Sequence, residues 1–143
     1  MITVQALLKS KRHQSVLSVS PENTVIDALF LMAEKNIGAV LVMDGDTLVG
    51  IFSERDYARK GIVQGRKAKS TPVTEVMTPN VFTVESNMNI NDCMKLMSEK
   101  KFRHLPVMEE NKVVGVLSIG DIVDAIFKEQ VSHISYLESY ISG

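Results

Sequence analysis

Hydrophobic residues along the chain follow two periods, and their order predicts five elements in the first half. These are a strand at 16–19, a helix from Val25, strands at 39–43 and 48–52 around a hairpin turn at 44–46, and a helix from Glu54 to about Lys60. Gly38 follows the first helix and is the predicted C-cap. The order of this half is therefore β-α-β-β-α.

The second half repeats this order. Its predicted elements are a strand at 81–84, a helix from Asn89 to about Lys100, strands at 105–108 and 113–117 around a turn at 109–111, and a helix from Gly120 to about Lys128. A shift of 65 residues aligns 16–61 with 81–126 without a gap, and 13 of the 46 pairs are identical. Because a repeat of this size buries too little surface alone, we expect the repeats to pack sheet against sheet around a pseudo-two-fold axis, with two equivalent clefts between them.

Three segments lie outside the repeated pattern. Residues 1–13 are expected to form a short strand or helical turn that packs on the first half and ends in a basic loop. The tail has Val131, Ile134, Leu137 and Ile141 at helical spacing, which predicts an amphipathic helix that covers another surface. We therefore divide the chain into a first repeat at 1–64, a polar and basic linker at 65–74, a second repeat at 75–128 and a C-terminal helix at 129–143.

Composition narrows the class of protein. Of the 143 residues 45% are hydrophobic and 23% are charged, as in a globular protein, and the order of the predicted elements makes the fold class α/β (α+β). The net charge of −1 gives no electrostatic reason for nucleic-acid or anionic-membrane binding. The single cysteine, Cys93, excludes an internal disulfide and is expected in the core. No apolar run approaches 18 residues and the N-terminus lacks a signal-peptide core, so we expect a cytoplasmic protein with no membrane partner. His13 and His133 lack metal-ligand spacing, and no metal site is predicted.

The chemistry that repeats is Gly-x-x-Ser-x-x-Asp, at 50–56 and again at 115–121. The glycine can lie where a side chain would block a close approach, and the Ser and Asp fall where a strand turns into a helix. A carboxylate at this point can accept two hydrogen bonds from a sugar diol, and a helix N-terminus suits an anion. Two helix capping boxes without a ligand are the alternative. The occurrence of both copies in one register favours a binding site.

These residues resemble a tandem pair of cystathionine-β-synthase-type (CBS) domains in the stand-alone form, also called a Bateman module. The residues that match are Gly50-Ile51-Phe52-Ser53 and Asp56, Gly115-Val116-Leu117-Ser118 and Asp121, the helix entries Thr24-Val25-x-Asp27-Ala28 and Asn89-Ile90-x-Asp92-Cys93, Arg103-His104-Leu105-Pro106-Val107, and Val76-Met77-Thr78-Pro79. The resemblance extends from about Leu7 to Lys128 and implies two β-α-β-β-α repeats that often pair again with a second copy.

The resemblance also implies an adenosine-containing ligand, such as AMP, ADP, ATP, NAD or S-adenosylmethionine, in the clefts between repeats. Asp56 and Asp121 would then hold ribose hydroxyls, and Ser53 and Ser118 would contact phosphate or ribose. Thr24, at the matching helix entry, joins this set of ligand-binding residues.

The two repeats differ in their basic residues. Arg103 and His104 of the second repeat align with Gly38 and Ala39, whereas Arg55 and Arg59 of the first repeat align with Gly120 and Asp124. An arginine offers a bidentate fork to phosphate, and these four basic side chains are candidate phosphate contacts. The alternatives are a solvated surface position for Arg103, a solvated helix face for Arg55 and Arg59, and a structural role for His104.

Three functions are compatible with this pattern. The first is a regulatory, signal-transducing module that binds adenine nucleotide, AMP first among them, forms a homodimer and passes the signal to a separate effector protein. The second is a structural dimerisation module without a ligand, against which both intact Ser-x-x-Asp copies stand. The third is an uncharacterised nucleotide-dependent enzyme. No nucleophile set, metal spacing or pair of catalytic carboxylates supports it, so no catalytic residue is predicted.

Overall fold

The computed structural model describes residues 2–10 and 16–142, with Ser142 as backbone only. The chain divides into two compact units. The first unit is residues 16–82, and the second unit combines residues 83–142 with the N-terminal residues 2–10. Each unit contains one copy of the order β-α-β-β-α, so the predicted fold class and repeat are confirmed.

The first unit is a four-stranded sheet with one long helix. Its elements are β1 (Ser18–Val19), α2 (Val25–Lys35), β2 (Ala39–Asp44), β3 (Thr47–Ser53), the short helix α3 (Glu54–Asp56), a π-helical segment (Tyr57–Ile62), a 3₁₀ turn (Val73–Glu75) and β4 (Thr78–Pro79). The sheet order is β1-β2-β3-β4, with β1 parallel to β2 and the other pairs antiparallel. Its core is formed by Val25, Ala28, Met32, Val40, Val42, Phe52, Val73 and Val76.

The second unit repeats this arrangement with three strands. Its elements are α1 (Val4–Ser10), β5 (Val84–Glu85), α4 (Ile90–Lys100), β6 (His104–Glu109), β7 (Lys112–Ser118) and α5 (Ile119–Ser142). The sheet order is β5-β6-β7, with β5 parallel to β6 and β6 antiparallel to β7. Its core is formed by Val4, Leu7, Val84, Ile90, Cys93, Met97, Leu105, Val107, Leu117, Ile122 and Ala125, which confirms that Cys93 is a core residue.

The long helices of the two units have matching ends. Thr24 and Asn89 are the N-caps of α2 and α4, and each side chain accepts a hydrogen bond from the amide three residues later. Asn36 is the C-cap of α2, in the left-handed conformation with φ 53°, so the predicted C-cap at Gly38 is wrong. Asparagine tolerates this conformation well enough to end the helix two residues earlier.

The N-terminal segment was expected to be a short strand or a helical turn on the first repeat. It is helical, but it packs in the second unit. Val4 donates its amide hydrogen to the carbonyl of Met88 at 2.8 Å, and Ile90 donates to the carbonyl of Ile2 at 3.0 Å. Hydrophobic periodicity showed that α1 needs an apolar partner but could not show which repeat supplies it. The predicted basic loop at residues 11–13 lies outside the described residues.

Residues 71–77 make the same contacts in the first unit. Val73 donates to the carbonyl of Asn23 at 2.9 Å, and Val25 donates to the carbonyl of Thr71 at 2.8 Å. Residues 2–8 and 71–77 are therefore equivalent under a shift of 69, so the repeat begins earlier than its sequence identity indicates. In each unit, the segment inserts two valine or leucine side chains into the core.

Both motif glycines lie where the chain allows no side chain without rearrangement. A Cβ atom at Gly115 would lie 2.7 Å from Cδ2 of Leu8, and one at Gly50 would contact the Met77 sulfur. Leu8 and Met77 are themselves equivalent in the two inserted segments. The expected close approach at the glycines is confirmed, and the side chains that approach them belong to the two inserted segments.

The last helices of the two repeats differ from prediction and from each other. The helix expected at 54–60 begins as α3 and continues as a π-helical segment that ends at Ile62. The helix expected to end at about Lys128 continues without a break, so α5 includes the predicted tail. A boundary at 128 therefore describes the repeat pattern and not a break in secondary structure.

Substitution of Val4 by Ala tests the insertion of α1 into the second unit. We expect this variant to lower the free energy of unfolding by about 2 kcal/mol, since two methyl groups leave a fully buried position. Urea unfolding followed by circular dichroism would measure it. Gln5→Ala, at an exposed position of the same helix, is the matched control, and an equal loss in both variants would contradict the packing.

Candidate functional site

The first Ser-x-x-Asp motif forms the junction between β3 and α3. Ser53 is the last residue of β3, and its amide hydrogen is donated to Asp56 Oδ2 at 3.0 Å. The Ser53 hydroxyl donates to the same oxygen at 3.1 Å and lies 3.2 Å from the Asp56 amide. This reciprocal capping box holds the carboxylate at the end of the strand, with 12% of the side chain exposed.

The second motif forms the equivalent junction between β7 and α5. The Ser118 amide donates to Asp121 Oδ2 at 2.9 Å, and the Asp121 amide donates to the Ser118 hydroxyl at 3.1 Å. Both side chains are half-buried. The sequence therefore predicted correctly that both motifs are strand-to-helix junctions with capping geometry.

Arg103 and His104 lie at this second junction. The Arg103 carbonyl accepts a hydrogen bond from the amide of Ile119 at 2.8 Å, and His104 is the cross-strand partner of Ser118. The Arg103 side chain is exposed and His104 is half-buried. Arg103, His104, Ser118 and Asp121 are thus gathered at one end of the β6–β7 hairpin, where a carboxylate and a basic side chain can serve one ligand.

The remaining predicted residues belong to the first unit. Arg55 and Arg59 are exposed on α3 and on the π-helical segment that follows it. Thr24 begins α2, and its amide donates to Asp27 Oδ2 at 2.9 Å, so its described contacts are those of a helix cap. The nine predicted residues therefore form two groups, one in each unit.

Asp56 has two partners that the sequence reasoning did not assign to the site. Thr78 donates its hydroxyl hydrogen to Asp56 Oδ1 at 3.0 Å, and Lys60 Nζ lies 3.5 Å from the same oxygen. Lys60 also donates to the carbonyl of Met77 at 3.3 Å. The spacing of four residues from Asp56 to Lys60 was a readable signal, whereas the contact with Thr78 crosses 22 residues and required the fold.

Two ionisable groups show perturbed acidity. Hydrogen bonds from the backbone of Thr24, and from the side chains of Asn23 and Thr24, lower the pKa of Asp27. Burial, with a smaller contribution from the charge of Asp92, raises the pKa of Cys93 to about 11. Cys93 is thus a protonated core thiol at neutral pH, and Asp27 is a charged helix cap.

Metal and membrane sites can be assessed for the described part of the chain. Among residues 2–10 and 16–142, no group of three or more His, Cys, Asp or Glu side chains could hold a metal ion. Within the same ranges, no helix has both the length and the apolar character needed to cross a bilayer.

Two β-α-β-β-α repeats, each with a Ser-x-x-Asp junction after a glycine-containing strand, define a tandem-repeat α+β protein. The sequence pattern of the CBS domain matches residues 11–62 and 73–128, and the chain belongs to the CBS domain family. The chain is 38% identical over 149 residues to the CBS domain-containing protein CBSX3, mitochondrial, of Arabidopsis thaliana, with 99% of this chain and 72% of that protein covered.

Solved structures show the same architecture. A protein with CBS domains from Burkholderia ambifaria MC40-6 superposes with a TM-score of 0.86 at 46% identity, covering 90% of this chain and 96% of that chain. CBSX2, solved in complex with AMP, gives a TM-score of 0.73 at 31% identity and covers 91% of this chain and 99% of that one. The family resemblance stated from the sequence is confirmed.

The lowered pKa of Asp27 predicts a pH-dependent cap. Its folded pKa lies below the unfolded value of about 3.9, so the stabilisation is complete above that value and is lost as the pH falls through the folded pKa. Asp27→Asn should therefore melt at a lower temperature than the wild type near neutral pH. The difference in Tm should stay nearly constant from neutral pH down to about pH 5 and narrow as the pH falls below about 4. Asp46→Asn, in the hairpin turn, is the control, and a constant difference for Asp27→Asn would refute the cap.

Proposed function

We propose that this chain is a regulatory module that binds an adenosine-containing nucleotide at the Ser-x-x-Asp junctions of its CBS repeats. AMP is the first candidate, with ADP, ATP and NAD as members of the same ligand class. The bound state is passed to a separate effector protein. The observation that carries the proposal is the half-buried carboxylate at each strand-to-helix junction, at Asp56 and Asp121.

The carboxylates supply the sugar recognition in this proposal. Each carboxylate is oriented by the amide of the serine three residues before it, and an ionised carboxylate is a hydrogen-bond acceptor only. A ribose diol presents two hydroxyl donors to such a group, and hydrogen bonds to a charged acceptor are the stronger kind. The AMP complex of CBSX2, a protein of the same fold, supports an adenine nucleotide as the ligand class.

Basic residues at the second junction supply the phosphate recognition. Arg103 is exposed at the start of β6, and its main chain contacts the residue after Ser118. A guanidinium there can pair with a phosphate while Asp121 holds the sugar. In the first unit, Arg55 and Arg59 are the only basic candidates among the predicted site residues. They extend from α3 into the π-helical segment, and π-helical turns frequently occur at functional sites.

Two further functions were considered. A dimerisation module without a ligand would explain the two Ser-x-x-Asp junctions as helix caps alone. An enzyme would need a reacting group, and the proposed residues are assigned to binding only. The cytoplasmic location stays a prediction, and the relative CBSX3 carries a mitochondrial name.

We also propose that the protein is a homodimer and that α5 forms part of its interface. Val131, Ile134 and Leu137 are exposed, Ile134 by 54%. Phe127, Ile134 and Ile141 recur every seven residues, the spacing by which a helix buries a seam against a second helix.

The nucleotide proposal predicts that Asp56→Asn and Asp121→Asn each weaken AMP binding. The loss of a hydrogen bond to a charged acceptor should cost about 1.5–3 kcal/mol for each site. Arg103→Ala should weaken AMP binding but leave adenosine binding nearly unchanged, because adenosine has no phosphate. Isothermal titration at two salt concentrations measures all of these, and the AMP affinity should fall more with salt than the adenosine affinity.

Lys112→Ala is the matched control for Arg103→Ala, since it removes an exposed positive charge from the same hairpin. Wild-type affinity in both aspartate variants would refute the ribose assignment. Equal affinities of the wild type for AMP and adenosine would refute the phosphate assignment and leave the carboxylates standing. Conversion of AMP over hours, instead of simple binding, would favour the enzyme.

The dimer proposal predicts a change of mass with a single substitution on α5. The wild type should sediment as a dimer at micromolar concentration, and Leu137→Glu should sediment as a monomer, because it sets two charges in an apolar seam. Tyr136→Glu, on the neighbouring face, is the control and should remain dimeric. A chain that ends near Lys128 should dimerise more weakly. A monomeric wild type would remove this proposal.

A further inference from the structure

The Asp56 carboxylate in the first unit is held by donors that the chain itself supplies. Oδ2 accepts the amide hydrogen and the hydroxyl hydrogen of Ser53, at 3.0 and 3.1 Å. Oδ1 accepts the Thr78 hydroxyl hydrogen at 3.0 Å and faces the Lys60 ammonium at 3.5 Å. With three hydrogen bonds and a nearby ammonium, a carboxylate of about four acceptor positions lacks the two free positions that a sugar diol needs. A sugar diol can therefore bind Asp56 only by exchange with donors that the chain itself supplies.

Loss of the two Ser53 donors would destabilise the first unit more than loss of the Thr78 and Lys60 donors. The Ser53 bonds are the N-terminal cap of α3, so breaking them would leave the start of the helix uncapped. Thr78 and Lys60 stand outside this cap. Thr78 belongs to the two-residue strand β4, and the Lys60 side chain is 38% exposed, so both can move with little loss of buried structure.

We propose that Thr78 and Lys60 act as a latch that occupies the first sugar site and is displaced when a ligand diol binds Asp56. This inference rests on the proposed function and adds two specificity-determining residues to it. Thr78 presents a hydroxyl to Oδ1, as a ribose hydroxyl would. The latch lowers affinity at the first site, because each binding event must also break the internal contacts.

The latch also connects the ligand to the segment that leaves the first unit. Lys60 Nζ holds the Met77 carbonyl at 3.3 Å, and Thr78 is the next residue. The strand β4 is paired with β3 at only two positions, Gly50 with Pro79 and Ile51 with Thr78. When the ligand displaces Thr78 and Lys60 from Asp56, residues 77–79 lose two of the contacts that hold them against the rest of the first unit. We therefore expect ligand binding to cause local opening of this segment.

Thr78→Val tests the latch because it removes the hydroxyl and keeps the shape of a β-branched side chain. In a chain whose second site is silenced by Asp121→Asn, Thr78→Val should bind AMP about tenfold to hundredfold more tightly, the value of one hydrogen bond to a charged group. The gain should be absent for 2′,3′-dideoxy-AMP, whose sugar has no diol. Thr74→Val, at an exposed position of the same segment, is the matched control and should change neither affinity.

Lys60→Met tests the second half of the latch, with Lys69→Met as a control for the loss of one positive charge. Hydrogen exchange followed by mass spectrometry reads the segment itself. Saturating AMP should speed exchange in peptides that cover residues 77–79 of the wild type, whereas ligands ordinarily slow exchange. In the ligand-free Thr78→Val/Lys60→Met variant, exchange there should already be fast, and AMP should add nothing.

The outcomes separate this inference from the proposed function. If the wild type binds AMP and Thr78→Val binds it no more tightly, or exchange at 77–79 slows with AMP, the latch is overturned and the function stands. If no variant binds AMP but ligand-free exchange is faster in the double variant, Thr78 and Lys60 do hold residues 77–79 in place, and the proposal of AMP as ligand is refuted. If the double variant binds AMP and the wild type does not, the latch is supported, because the contacts of Thr78 and Lys60 would then prevent binding altogether.

Discussion

Each repeat depends on an apolar segment that it does not itself contain. The sheet and long helix of the first unit leave a gap that Val73 and Val76 fill, and those of the second unit leave one that Val4 and Leu7 fill. In both units, the segment is fixed by main-chain hydrogen bonds at the start of the long helix, and it lies against the glycine of the Ser-x-x-Asp strand. The glycine is therefore required first for packing, and the carboxylate lies six residues after it in both motifs.

The junction carboxylates combine a structural role with a proposed binding role. A capping aspartate is already held in place by its own helix, so a ligand meets an acceptor whose orientation costs little to fix. The same arrangement limits the acceptor, because every internal donor uses a lone pair that a ligand would need. Asp56 shows this limit, because Ser53 and Thr78 donate to it and Lys60 pairs with it.

The repeat, the order of elements and both capping boxes could be read from the sequence because they are local. Periodicity identifies α2 and α4, and the spacing of Ser53 and Asp56 identifies a helix entry. The destination of α1 could not be read, because apolar residues such as Val4 and Leu7 fit either repeat and only the completed fold selects one. The contact of Thr78 with Asp56 was missed for the same reason, since 22 residues separate the partners. Gly38 was chosen over Asn36 because glycine is the commoner C-cap, a preference that one asparagine can override.

The crossed placement of the two inserted segments bears on the order in which the chain acquires its structure. Residues 16–82 form a contiguous unit, whereas α1 needs residues 83 onward to complete its own. During synthesis on the ribosome, the first unit can thus fold before the rest of the chain has been made. Val4 and Leu7 of α1 remain without their packing partners until the second unit has been synthesised. Closing that long loop makes the second unit the one of higher contact order, and so the slower to mature.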